Sequence, residues 1–392
     1  MERNRRTMVA TRTYLDHNAS APLRPAARDA MVAALARQAN PSSVHAEGRD
    51  ARRLIEDARR EVAALVDGDA ANVVFTSGAT EAASWLLTQD WRMGRAPLRI
   101  QRLIVCAADH PATRDGGRFP GEDVTTIGVD GDGLVDLAAL EQALAAHDRA
   151  AGPALVAIQL ANNETGVLQP LARIAAAVRA AGAILVADAV QAAGRIPLGL
   201  GEDSADFLIL SSHKLGGPKG AGAVVAAGGV LMPSPMVRGG GQEHGHRSGT
   251  ENVAAIAGFG AAAREALAGL AGMSSVAALR DRFEEAVLDA APDAMIFGRN
   301  APRLPNTTFF AIPGIKAETA QIAFDLDGVA LSAGSACSSG KVGPSHVLAA
   351  MGHGAYGGAL RVSIGRETGE GDLEIFSRAL RRLVARRSTK AA

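Results

Sequence analysis

The chain is poor in cysteine and in aromatic residues: 392 residues hold two Cys, two Trp, two Tyr and ten Phe. Two cysteines cannot build a disulfide framework, so the core must close without staples, and the chain reads as cytoplasmic. There is no excess of either charge, with 41 Lys+Arg against 41 Asp+Glu. That balance gives no reason to expect nucleic acid or an anionic membrane as partner. No apolar run reaches the roughly 18 residues a membrane span needs. Arg3, Arg5, Arg6 and Arg12 have no apolar stretch behind them, which excludes a secretory signal and leaves residues 1–12 as an expected disordered start. No G-x-G-x-x-G follows the first apolar strand, which disfavours a dinucleotide fold.

Short apolar runs alternating with amphipathic stretches fill most of the chain. Val73–Thr76, Leu103–Cys106, Val124–Val129, Ala154–Leu160, Ala183–Asp188, Phe207–Leu210 and Ala223–Val225 read as strands. Helices are predicted from Pro25, around Leu54–Leu65, over Ala82–Trp91, over Leu137–Ala145 and from Pro170. In the second of these Leu54, Ala58, Val62 and Leu65 share one face, and Arg52, Arg53, Arg59 and Arg60 form its expected solvated side. Such alternation predicts an α/β fold with a mainly parallel sheet wrapped by helices. From about Ala263 the pattern changes to a smaller α+β domain with strands at Thr307–Ala311, Val329–Ser332 and Leu360–Ile364. The expected division is a large domain over 13–262 and a small one over 263–392.

Two strand ends carry chemistry. Ser211-Ser212-His213-Lys214 opens a glycine-rich turn after Phe207–Leu210, and Asp188 ends the apolar run 26 positions upstream of Lys214. The carboxyl edge of a parallel sheet is where ligands bind. A lysine there, partly desolvated and so lowered from its usual pKa of about 10.4, can form a Schiff base with an aldehyde. On that run alone a solvated loop lysine is the simpler reading. The acid beside it changes this, because pyridoxal phosphate needs an amine for its aldehyde carbon and a carboxylate for its ring nitrogen. Ser77-Gly78-Ala79-Thr80 opens a helix and suits a phosphate, or is an ordinary N-cap. His110 lies on the same rim, with a structural histidine as its alternative. Glu243, His244 and His246 have no further ligand pattern, so no metal is expected.

Cys337 sits among small polar residues, unlike Cys106, which lies within an apolar strand. The twelve-residue loop from Ala333 to Pro344 could carry its middle at most about 20 Å, at ~3.3 Å per residue. An exposed spectator thiol is the alternative. Arg361, on a strand, is a candidate two-pronged carboxylate clamp or a surface salt bridge.

The motifs Y-L-D-H-N-A-S-A-P, N-P-S-S-V-H, F-T-S-G-A-T-E, D-H-P-A, N-N-E-T-G, A-D-A-V-Q, S-S-H-K, R-S-G-T, S-A-G-S-A-C-S-S-G and R-V-S-I-G-R follow one another from Tyr14 to Thr368. In that order they resemble the NifS/IscS-type cysteine desulfurases, within the class V, fold-type I pyridoxal-phosphate-dependent aminotransferases. The resemblance implies a homodimer that converts L-cysteine to L-alanine and a Cys337 persulfide, which then passes to an iron–sulfur scaffold or another acceptor. Lys214 would carry the cofactor and move the substrate's Cα proton; Asp188 would pair with the ring nitrogen. His110 would stack on the ring, and Gln191 and Asn163 would contact its substituents. Ala79, Thr80, Ser211 and His213 would hold the phosphate, with Thr250 added from the other subunit. Asn40 would help Arg361 bind the substrate carboxylate. Selenocysteine lyase, another class V aminotransferase activity and a non-catalytic sulfur-assembly platform are the alternatives. Ser20 stands where relatives often have threonine.

Overall fold

The computed structural model describes residues 12–201, 203–334 and 344–390. The expected disorder of the N-terminus falls almost wholly outside these residues, as does Cys337. Arg12, the first described residue, pairs with Asp325.

Seven strands form the larger sheet in the spatial order 73–76, 222–226, 207–211, 184–188, 154–159, 102–106, 124–127. All pairings are parallel except those of Gly222–Ala226, which runs against both neighbours. Most of these strands are buried along their whole length, which is why they read as continuous apolar runs rather than alternating ones. One apolar cluster, with Ile104, Val156, Leu208 and Phe259, fills one side, and a second, with Trp85, Trp91, Val186 and Phe207, fills the other.

The sequence expectations shift in several places, three of them in the larger unit. The helix expected over Ala82–Trp91 runs Ala79–Leu86, and Trp91 instead lies on the strand Asp90–Met93. That strand joins Ala96–Arg99 and Leu231–Pro233 in a three-stranded sheet with no expectation in the sequence. Trp91 still buries completely, edge-on to Phe207, so its apolar character fitted either element.

The third correction concerns Arg59, which is not on a solvated face but 3% exposed. Its Nη1 and Nη2 donate to Glu243 at 2.8 and 2.9 Å, and Nη1 also donates to the Val73 carbonyl at 2.7 Å. Glu243 Oε2 accepts from the Phe75 amide at 2.8 Å. The guanidinium lies 4.9 Å from the centre of the Phe75 ring. This pair fastens the strand Val73–Thr76 from its outer edge. It also holds Glu243 and His244 at φ 48° and 55°, in the left-handed region that costs non-glycine residues energy.

The smaller sheet is antiparallel, in the order 295–296, 307–311, 360–363, 332–333. Its core spends four of the chain's ten phenylalanines, Phe283, Phe310, Phe324 and Phe376, the last two stacked at 5.4 Å. The N-terminal strand Thr13–Tyr14 pairs in parallel with Val329–Ala330 before the chain crosses to the larger sheet. The boundary expected at 262/263 falls inside the helix Val253–Ala268, whose Ala263 and Ala266 still pack in the larger core. The chain bends by 50° beyond that helix. We propose Gly269–Gly272 as the start of the smaller unit.

Breaking a buried ion pair from one side strands a charge and costs about 3–5 kcal/mol. Glu243→Ala is therefore expected to lower the thermal midpoint by several degrees, and Arg59→Met added to it to recover part of the loss. A melt of Glu243→Ala that matches the parent protein would contradict the role given to this pair.

Candidate active site

The parallel strands deliver their carboxyl ends to one edge. Asp188 is the last residue of Ile184–Asp188, in register with Gln159 on one side and Ile209 on the other. Ser211 ends Phe207–Ser211, and the turn Ser212–Lys214 follows at once. Gly222, opposite Ser211 and Thr76, must be glycine. A Cβ there would come 2.6 Å from the Gly78 carbonyl carbon, so its absence lets the turn before Ala79–Leu86 lie against the sheet.

These ends enclose a cavity of about 460 Å³. Ala79, Thr80, His110, Asn163, Asp188, Gln191, Ser211, His213 and Lys214 all line it, drawn from five separate stretches of sequence. Lys214 Nζ donates to the carbonyls of Asn18 at 2.6 Å and Ala19 at 3.0 Å. Asp188 is 5% exposed and accepts from the Val190 amide at 3.0 Å. Burial pushes its carboxyl up to about 6, against the pull of the Val190 amide and of Lys214. A carboxylate in that condition lacks compensation and suits a cationic ring nitrogen. Across the cavity the helix Ala79–Leu86 begins at Gly78 with no side-chain cap, and nothing lies within 4 Å of where a Gly78 Cβ would be. Its first-turn amides are thus available to an anion such as a phosphate. Amine, buried acid and anion cradle together fit a phosphorylated, ring-bearing aldehyde.

The histidines of the site are neutral. His110 is lowered to about 4, first by burial, then by Lys214 and His346. His213 is lowered to about 4 by burial, Lys214 and Lys219. His110 Nδ1 accepts from the Ala112 amide at 3.1 Å, which puts the proton of the neutral ring on Nε2.

Some expected residues lie elsewhere. Arg361 is fully buried behind the cavity rather than on the surface; Nη2 donates to Asp16 Oδ1 at 2.7 Å and Nη1 to the Asn163 carbonyl at 2.8 Å. Asn40 is exposed, and its side chain accepts from the Ser42 amide at 2.9 Å. Thr250 is exposed as well and does not line this cavity within one chain. Among the described residues no cluster of three His, Cys, Asp or Glu side chains is placed to hold a metal.

The sequence profile described as "Aminotransferase class-V" matches residues 13–376. The chain belongs to the class-V aminotransferase family. A cysteine desulfurase of Enterobacter agglomerans is 39% identical over 383 residues, 96% of this chain and 93% of that protein. An IscS-like cysteine desulfurase of Mycobacterium tuberculosis is 37% identical over 382 residues, 95% of this chain and 96% of that protein. The solved NifS-like protein from Rickettsia africae superposes with a TM-score of 0.85 at 32% identity, over 95% of this chain and 99% of its own. The structure of SspA in complex with cysteine is similar over 90% of this chain and 98% of its own, with a TM-score of 0.73 at 25% identity. Within this family the architecture is fold type I, as the motifs implied.

In this class-V chain the residues that sequence reasoning missed are Asn18, Gln159, Lys219 and Asp109. Asn18 lies in the motif Y-L-D-H-N-A-S-A-P but was given no role there, yet it is fully buried and its carbonyl accepts from both Lys214 and Gln191. Gln159 and Lys219 line the cavity. Asp109 is buried beside the site, and burial together with the charge of Asp188 pushes its carboxyl well above the usual range. Its neighbour His110 drew attention; an acid one position before a strand-end histidine gave a signal as well.

The imidazole resonances of His110 and His213 are expected to stay in the neutral form from pH 7.5 down to about 5, because their lowered pKa values admit a proton only near 4. Proton NMR of the apoprotein checks this; either ring titrating with a midpoint near its ordinary value of about 6.5 would contradict the burial argument.

Proposed function

We propose that this chain is a pyridoxal 5'-phosphate-dependent cysteine desulfurase that converts L-cysteine to L-alanine and holds the sulfur as a persulfide on Cys337. The observation that carries this reading is the pairing of Lys214 and Asp188 in one cavity, opposite the uncapped start of Ala79–Leu86. Lys214 would hold the aldehyde carbon and Asp188 the ring nitrogen. His110 would cover one ring face, with Asn163 and Gln191 at the ring substituents. The first turn at Ala79 and Thr80, with Ser211 and His213, would hold the phosphate. When bound, this cofactor supplies a reactive aldehyde carbon and a ring that accepts the electron pair released at the substrate's Cα.

The side chains then divide the work on the substrate. Lys214 Nζ takes the Cα proton and returns it; the Asn18 and Ala19 carbonyls orient the amine. Arg361 would bind the substrate carboxylate by exchanging it for Asp16; Asn40, exposed and turned to the Ser42 amide in the single chain, would have to leave that contact to help. Cys337 Sγ attacks the substrate sulfur as a thiolate: the S–S bond forms, the C–S bond breaks, and its electron pair stays with the carbon, which takes a proton to become alanine. No outside oxidant is needed. Thr250, exposed in a single chain, fits delivery to the cavity of a second copy in a homodimer. An iron–sulfur scaffold or another acceptor protein then takes the sulfur. We place this work in the cytoplasm, whose reducing pool keeps such a thiol available.

With cofactor, L-cysteine and a reductant, the protein is expected to release alanine and sulfide in equal amounts. Cys337→Ala should lose at least about 100-fold in rate, roughly 2.7 kcal/mol of barrier. Mass spectrometry of the unreduced protein should find one added sulfur on Cys337. Both products at the parental rate from Cys337→Ala would refute the persulfide route. Faster turnover of selenocysteine, or turnover of amino-acid/keto-acid pairs alone, would favour the lyase or transaminase alternatives. A protein that stays colourless and inert would be the assembly platform.

A further inference from the structure

Glu164 follows the cavity residue Asn163, yet none of the chemistry above uses it. It is 2% exposed, in a turn held by Asn162, whose Oδ1 accepts from the amides of Glu164 at 2.9 Å and Thr165 at 3.0 Å. Gly166 closes that turn at φ 76°, where a Cβ would meet Thr307 at 2.8 Å. The turn therefore has little freedom, and Glu164 is aimed by it.

Its carboxyl reaches two residues that are distant from it in sequence but flank Cys337 in the chain, three positions before it and eight after it. Glu164 Oε2 accepts from Ser345 Oγ at 2.6 Å. Ser345 Oγ in turn accepts from the Leu348 amide at 3.1 Å, capping the helix His346–Ala350. On the other side a Cβ at Gly334 would stand 2.9 Å from the same Oε2 and 2.5 Å from the Phe309 ring, so Gly334 packs directly against the carboxyl. Gly334 is the last described residue before Cys337 in sequence, and Ser345 is the second after 335–343. Both are also tied to one neighbouring segment, Gly334 through the Ala359 carbonyl and Ser345 through that of Gly357.

We propose that Glu164 is a positioning residue for sulfur transfer: its carboxyl clasps Gly334 and Ser345 and so fixes both flanks of the Cys337 stretch to the cofactor wall at Asn163. This inference rests on the reading of Cys337 as the persulfide carrier. A buried carboxyl is an apt fastener here. Burial pushes Glu164 up to about 7 against the pull of the Ser345 hydrogen bond and of Arg361. Oε2 accepts the Ser345 hydrogen bond whether the group is ionised or neutral. Misplacing a reacting group by about 1 Å can cost 100-fold, so loosening these flanks acts on the rate at Cys337 without touching the cofactor's own contacts.

The test is a single-turnover experiment on the cofactor-loaded protein: L-cysteine is added, the reaction is quenched by alkylation, and sulfur on Cys337 is counted by mass spectrometry. In parallel, the visible spectrum is titrated with L-alanine, which needs no Cys337. Glu164→Ala is expected to slow sulfur loading about 10- to 100-fold while the alanine titration is unchanged. Ser345→Ala should do the same and serves if Glu164→Ala does not fold. Glu164→Gln, which keeps an acceptor oxygen for Ser345, should restore most of the rate. Parental loading in both alanine variants would overturn the proposal. So would loss of alanine binding in proportion to loading, or a glutamine variant as slow as alanine. Failure of the unaltered protein to load Cys337 would instead sink the persulfide reading itself.

Discussion

The backbone oxygen of Asn18 is the point on which the site turns. It accepts from Lys214 Nζ at 2.6 Å and from Gln191 Nε2 at 3.0 Å. The Asn18 side chain donates to Thr307 Oγ1 and the Asn163 carbonyl, and accepts from Asn306. Its amide donates to Ser363. One fully buried residue thus connects the Lys214 amine, the cavity wall and the smaller sheet. A network of this type is costly if any member is left unpaired, so it holds one geometry. It fixes where the amine stands before any ligand arrives.

The electrostatics around the cavity follow from the burial of its charged groups. Burial raises the carboxyls of Asp188, Asp109 and Glu164 and lowers the imidazoles of His17, His110 and His213. Both changes favour neutral groups, so a cationic ligand atom beside Asp188 would restore what solvent supplies elsewhere. Arg195 is lowered by the same pressure as the histidines, with Arg361 adding to it. It is buried, lowered to about 9, and spends its donors on Gln191 and on the backbone carbonyls of His17 and Lys214.

The parts of this site that were legible in the sequence are those written as strand ends. A buried parallel strand is an apolar run, and the first polar residues after it fall on one rim, so Asp188, Ser211, His213 and Lys214 could be placed together. Other parts depended on contacts between distant segments. Asn18 and Glu164 sit in short polar motifs with no periodicity that marks them for burial; they are buried against segments far along the chain. Arg59 looked like its solvated neighbours because a helix face does not announce that Glu243, 184 positions on, will fold back to meet it. The strand Asp90–Met93 was hidden by Trp91, which suits a helix or a strand equally. Arg361 was placed on its strand correctly, yet its engagement with Asp16 joins residues 345 positions apart.

Lys214, and no other amine of the cavity, would hold the cofactor. Lys219 lines the same cavity and is the natural control. The protein should be loaded with pyridoxal 5'-phosphate, reduced with borohydride, digested and sequenced by mass spectrometry. The pyridoxyl group is expected on Lys214 alone. Labelling of Lys219, or of neither residue, would contradict that assignment.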